Sequence, residues 1–195
     1  MLLILVFALL GLFTGSFLNV CIDRLPKGQS IINPPSHCST CNHKLGILDL
    51  VPVFSYLWLR GHCRYCKASI PIRLPIVEIT TSLLFTFLYW KFGLGLELGI
   101  SLVYACLLTV IFVIDLENQL VLDKVVYPGM ALALAFSFFW PGLRTFSFFW
   151  PAIDLESALL GGVIGLAIVA LIAITYPPGM GWGDVKLAAL VGLMT

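Results

Sequence analysis

The chain is 195 residues long, 60% hydrophobic and 11% charged, with a mean hydropathy of +1.04 and a formal net charge of +1. Soluble domains carry about 25% charged residues, so this composition excludes an ordinary soluble globule and points to an all-α polytopic membrane protein. The net charge says nothing about partners, whereas the placement of the charges says a good deal.

Leu2 to Ile22 is apolar apart from Thr14, Ser16 and Asn19, about the 20 residues a transmembrane helix needs. The first 21 residues hold no charged side chain. A cleaved signal peptide opens with a basic stretch, so the segment reads as a retained first span. Gly11 and Gly15 form a GxxxG pattern that lets another helix approach closely, and Asn19 needs a polar partner within the bundle. Residues 23–75 differ in kind. They hold seven of the eleven Lys and Arg, four of the six Cys and all three His, with several prolines, and read as a small polar domain between the first and second spans. Cys21 and Cys106 lie in spans and read as small buried hydrophobes.

Residues 76–195 form a membrane domain. The second span is expected over Ile76–Phe92, opening with Glu78, the third over Gly99–Ile114, and the fourth over Val125–Trp140, with a polar loop from Asp115 to Lys124 between the last two. A hexapeptide, Phe136-Ser-Phe-Phe-Trp-Pro141, recurs as Phe146-Ser-Phe-Phe-Trp-Pro151. Its Trp and Phe beside Pro suit a span end at the membrane interface. A fifth span is expected over Ala158–Tyr176 and a sixth from near Val185 to Thr195. The sixth is about 16 Å long at 1.5 Å per residue, about half a bilayer, so it reads as truncated or incomplete. Six alternating segments put residues 23–75, 115–124 and 177–186 on one side, with nine basic residues, and leave Lys91 and Arg144 on the other. The positive-inside rule makes the crowded side cytoplasmic and the N-terminus external.

Two features carry candidate chemistry. Cys38-x-x-Cys41 and Cys63-x-x-Cys66 are separated by 21 residues, a spacing that fits a four-thiolate structural zinc site. Disulfides do not persist in a reducing cytoplasm, which favours metal over cystines. His37, His43 and His62 flank the knuckles as alternative ligands. The second feature is Gly179-Met-Gly-Trp-Gly-Asp184-Val-Lys-Leu187. Its glycines disfavour helix and leave room for a backbone to approach, with Gly181, Gly183 and Lys186 as a substrate-approach loop. By the topology above, Asp184 lies on the same side as Asp115 at the end of the third span. Two carboxylates brought close share a proton and can activate water while protonating a carbonyl. The plainer reading is two solvated acids at span ends, and Glu117 and Asp123 compete for the same role. The basic run Arg60-Gly-His-Cys-Arg-Tyr-Cys-Lys67 suits lipid headgroups or an acidic substrate segment. It is too small to argue for nucleic acid.

In order, Gly15-Ser-Phe-Leu-Asn-Val20, Arg24-Leu-Pro26, the two CxxC pairs, Pro75-x-x-Glu78, Ile114-Asp115 and Gly179-Met-Gly-x-Gly-Asp184-x-Lys-Leu187 resemble the type IV prepilin peptidases. These are bifunctional leader peptidase/N-methyltransferases and membrane aspartic proteases of the GxGD type. The resemblance runs from about Gly11 to Gly192. It implies a multi-pass protein of the bacterial inner membrane that cuts the leader from prepilins or pseudopilins on the cytoplasmic side. It implies Asp115 and Asp184 as the catalytic pair, and S-adenosylmethionine as donor for methylating the new N-terminus, an activity tied to the cysteine domain. Where the family usually carries Leu-Pro-Asp, this chain has Val121-Leu122-Asp123. No glycine-rich methyl-donor fold is recognisable, so the methyl transfer rests on the resemblance alone. The alternatives are a peptidase whose cysteine domain is only a zinc docking platform, and a non-catalytic membrane zinc scaffold. Neither the particular pilin nor the oligomeric state is legible.

Overall fold

A computed structural model describes residues 2–140, 155–175 and 181–194. Among these the chain forms seven α-helices and separates into two compact units, Met1–Gly93 and Leu94–Thr195.

In the first unit α1 (Leu2–Arg24) and α3 (Arg73–Phe92) pack antiparallel. The GxxxG pattern makes the seam. A Cβ on Gly11 would stand 2.5 Å from the Cα of Ser82, and one on Gly15 would stand 2.7 Å from the Cα of Glu78, so only glycine admits backbones this close. Polar groups in the seam find partners across it. Asn19 Nδ2 donates to Leu74 O at 3.0 Å and Ser82 Oγ to Ala8 O at 2.8 Å. Phe7 stacks on Tyr89 at one end, and Arg73 pairs with Asp23 at 2.7 Å at the other. Between the two helices lie a 3-10 turn (Ile47–Asp49), the short α2 (Phe54–Trp58) and the cysteine knuckles.

The second unit holds α4 (Leu96–Asn118), α5 (Asp123–Phe139), α6 (Leu155–Thr175) and α7 (Trp182–Met194). α7 packs on both α5 and α6. Its crossing with α6 is again one of small residues. Gly161 meets Gly192 backbone to backbone, and Gly165 faces the Ala188 carbonyl. On the other side Leu190 of α7, fully buried, packs over Gly129 of α5.

The helix ends differ from the sequence expectation. The third span was placed at Gly99–Ile114 with Asp115 opening a loop, but α4 continues to Asn118 and Asp115 sits in its last turns. Gln119, left-handed at φ 50°, closes that helix by donating its N–H to Asp115 O at 2.8 Å. Hydropathy marks where polarity rises, whereas a helix ends where its backbone hydrogen bonds are capped. The loop shrinks to residues 119–122, because α5 starts at Asp123. Likewise α3 begins at Arg73, with Pro75 in its first turn where a missing N–H costs nothing, and α7 begins at Trp182, so Gly183 is helical.

Six spans were expected. Among the described residues, α1, α4 and α6 are long and apolar enough to cross a membrane. α3 carries Arg73 and Glu78, while α5 and α7 have 17 and 13 residues, about 26 and 20 Å of helix against a hydrocarbon core of about 30 Å. The second copy of the aromatic hexapeptide (Phe146–Pro151), Arg144 and residues 177–180 lie outside the described residues.

Candidate active site and metal centre

The two knuckles are built alike. His37-Cys38-x-x-Cys41-Asn42 and His62-Cys63-x-x-Cys66-Lys67 each close with a left-handed residue, Asn42 at φ 56° and Lys67 at φ 59°. In each, that residue's N–H bonds back to the first cysteine's carbonyl, at 2.9 Å to Cys38 and 3.1 Å to Cys63. In each, too, the first cysteine's N–H reaches across the turn, to His43 O at 3.0 Å and Ala68 O at 2.8 Å. The bridges His37–Lys44 and His62–Ser69 pin the flanks. The four Sγ atoms lie within 4.8 Å of one another, with Cys38 and Cys66 at 3.8 Å, and no disulfide joins them. Four thiolates bound tetrahedrally at 2.3 Å from one zinc ion are about 3.8 Å apart, so the cluster has the dimensions to hold such an ion.

Electrostatics agree with that reading. Backbone N–H groups of Cys41 and Thr40 hold the Cys38 thiol down at about 6. Cys66 receives help from the Ala68 backbone, but burial and the sulfurs of Cys41, Cys63 and Cys38 outweigh it and push the thiol up to about 11. One thiolate forms readily and the next is opposed by the first, a conflict that a divalent cation removes. The three histidines are engaged elsewhere. His37 and His62 turn Nδ1 to the carbonyls of Pro35 (3.0 Å) and Arg60 (2.7 Å), and His43 lies against the Tyr65 ring with centroids 3.7 Å apart. The thiols alone form the cluster.

In the second unit, Asp184 is the third residue of α7 and half-buried. Its Oδ2 accepts from Gly181 N at 3.2 Å, while its own N–H donates to Gly181 O at 3.1 Å. An acid at this position complements the positive end of the helix. Gly183 packs on Val121, and a Cβ there would stand 2.8 Å from Val121 Cβ. Lys186 Nζ is 2.6 Å from Asp123 Oδ1 and 5.4 Å from the centre of the Tyr127 ring. These contacts fasten the start of α7 to the 119–122 connection and the first residue of α5, which follow the half-buried Asp115 in the chain. Both acids thus belong to segments joined at one end of this unit.

The residues grouped as a substrate-approach loop separate by role. Gly181 supplies the N–H that Asp184 accepts, Gly183 seats α7 against Val121, and Lys186 holds Asp123. Sequence reasoning missed Val121 and Asp123 as partners of this motif. The signal near them was the departure from Leu-Pro-Asp at Val121-Leu122, where the proline is missing.

An α-helical membrane protein with a four-cysteine knuckle lobe in one unit and an acid-bearing helix start in the other is the class defined by these features. Residues 9–92 match the model of the bacterial peptidase A24 N-terminal domain, and residues 102–195 match that of the type IV leader peptidase family. The chain belongs to the type IV leader peptidase family. It is 32% identical to a prepilin leader peptidase/N-methyltransferase of Pseudomonas putida, covering 94% of this chain and 69% of that protein. It is 35% identical to the one of Stutzerimonas stutzeri (94% and 70%) and 32% identical to the one of Bacillus subtilis (94% and 70%). No solved structure matches the chain. The two matched regions fall one in each compact unit.

Proposed function

We propose that the chain is a membrane aspartic endopeptidase that removes the leader from type IV prepilins or pseudopilins and then methylates the new N-terminus. Asp115 and Asp184 are the catalytic pair. The observation that carries this reading is the fastening of the Asp184 helix start to the segment that follows Asp115, through Gly183–Val121 and Lys186–Asp123. The names of the relatives supply the substrate and the second activity.

Hydrolysis follows from two carboxyl groups sharing one proton. The ionised member takes a proton from a water molecule, whose oxygen bonds to the scissile carbonyl carbon. The protonated member gives its proton to the carbonyl oxygen. One hydroxyl of the resulting gem-diol returns its proton to the pair as the peptide C–N bond breaks, and the pair protonates the leaving nitrogen, which restores one shared proton. Methyl transfer moves a methyl group from the sulfonium of S-adenosylmethionine to the freed amine, releasing a proton and the thioether. Cys38, Cys41, Cys63 and Cys66 hold a structural zinc ion that closes the lobe, since four thiolates leave no open position for chemistry.

The same reading takes all six apolar segments as membrane-embedded, in an inner membrane with the N-terminus external. The charge distribution supports it, with nine of eleven basic residues on the side assigned to the cytoplasm.

The test is incubation of the protein in liposomes with a prepilin, with and without S-adenosylmethionine, and mass spectrometry of the product. Loss of the leader and gain of one methyl mass are expected. An uncut prepilin would remove the peptidase reading, and a cut but unmethylated product would leave the cysteine lobe a zinc platform.

A further inference from the structure

The segment between the knuckles carries an apolar surface that neither the metal cluster nor the acids account for. Ile47 and Leu48 of the 3-10 turn and Phe54, Leu57 and Trp58 of α2 are all largely exposed, Ile47 at 87% and Trp58 at 85%. The turn and α2 touch, which gathers these exposed side chains in one part of the lobe. Such a patch marks a place where something other than water is met.

Its height on the helix pair is fixed by a single clamp. Phe54 N donates to Pro52 O at 2.6 Å, closing a three-residue turn around Val53, which is held at φ 60°, ψ −49°. That conformation is strained, most of all for a β-branched residue, and needs an external hold. The hold is Glu78. Its buried carboxylate accepts the Val53 N–H at 2.7 Å, and Gly15 of α1 lies directly against its Cα. Glu78 is five residues into α3 beyond Arg73, about 7.5 Å along the helix. The Arg73–Asp23 ion pair caps the apolar part of both helices and so marks the polar boundary. The chain at Val53 therefore turns back alongside the helices instead of standing clear above them.

We infer that residues 47–58 form an interfacial membrane element, with Ile47, Leu48, Phe54, Leu57 and Trp58 in the boundary between headgroups and acyl chains. Three observations commit the surface to lipid. The clamp ties Val53, the residue before α2, to a position about 7.5 Å along α3 from Arg73, within the depth of about 5–10 Å at which amphipathic helices lie in an interface. The start of α3, the helix that carries the clamp, bears exposed apolar side chains of its own at Ile72 and Ile76. Arg60 and Lys67 stand exposed close by in sequence, as cations that reach anionic headgroups do when their neighbours are apolar. Trp58 serves as the anchor, with its apolar ring in the acyl region and its N–H toward the headgroups.

The experiment uses the full chain in nanodiscs of phosphatidylglycerol and phosphatidylcholine brominated near the carbonyl end of the acyl chain. Tryptophan emission is recorded for the native protein and for Trp58→Phe, and the difference isolates Trp58 from the other four tryptophans. The expected difference signal is quenched by the lipid bromines and resists iodide in the water. Leu57→Glu, checked for retained metal, is expected to red-shift that signal and open it to iodide. A Trp58 signal quenched by iodide and indifferent to bromolipid overturns the inference. So does a signal shielded from iodide only after a peptide with a basic leader and apolar segment is added, an outcome that assigns the surface to substrate.

Discussion

Lys186 Nζ lies 2.6 Å from Asp123 Oδ1, joining the second turn of α7 to the first residue of α5. The pair is partly exposed, and solvent screening leaves an exposed pair of this kind little weight in stability. Its consequence is positional, since Asp184 stands two residues before Lys186. Lys186→Met is expected to leave thermal stability nearly unchanged and to lower the rate of prepilin cleavage several-fold. The exchanged pair Lys186→Asp with Asp123→Lys should recover part of that loss in a cleavage assay. An unimpaired Lys186→Met enzyme would remove the pair from any role in positioning Asp184.

Gly183→Ala tests the contact beneath it. A Cβ at 183 would come within 2.8 Å of Val121 Cβ and 3.1 Å of Val121 Cγ2, so α7 or the 119–122 connection must move. A displacement near 1 Å at reacting groups costs about 10²-fold in rate, and that is the expected loss of cleavage. Val121→Gly removes the obstructing side chain and should restore much of the activity of Gly183→Ala. If the glycine served only to admit substrate backbone, Val121→Gly would bring no rescue.

The features legible in the sequence are those whose cause is local or periodic. Gly11 and Gly15 announce a close crossing by their spacing alone, and α3 provides it at Ser82 and Glu78. The cysteine pairs announce their cluster because each knuckle is a six-residue turn repeated in kind. Helix ends were less legible. Leu116, Glu117 and Asn118 sustain helix geometry beyond the apolar stretch, and the left-handed cap at Gln119 leaves no clear mark in composition. The turn at Val53 was not legible at all, since a strained valine depends on a carboxylate 25 residues away. At the acids the residue types pointed to the pair, but the contacts that seat Asp184 come from Val121 and Asp123 and follow only from tertiary packing.

Cys63 is the buried member of its cluster, its N–H tied to Ala68 O. Cys63→Ser is expected to abolish near-stoichiometric zinc measured by elemental mass spectrometry, and to expose residues 36–68 to protease. Metal binding supplies folding free energy in lobes this small, so chelation of the native protein should have the same proteolytic signature. His62→Ala should retain the metal, because the ring already bonds to Arg60 O. Loss of zinc in His62→Ala with retention in Cys63→Ser would invert the ligand assignment.

Asp115→Asn and Asp184→Asn separate chemistry from architecture. Asparagine keeps an oxygen that can accept the Gly181 N–H now bonded to Asp184 Oδ2, so the start of α7 is expected to persist and both variants to insert normally. Neither can hold or pass the shared proton, and residues that act as one catalytic unit fail together. Cleavage is therefore expected to fall by at least about 10³-fold in each single variant and no further in the double one. Glu117→Gln and Asp123→Asn carry the competing carboxyls of the same region, and each should cleave within about 10-fold of the native rate, a difference near 1.4 kcal/mol. The readout is single-turnover cleavage of prepilin in liposomes at matched protein insertion. Retained cleavage in either Asp115→Asn or Asp184→Asn would remove that residue from the pair, and collapse in Glu117→Gln or Asp123→Asn would nominate its replacement.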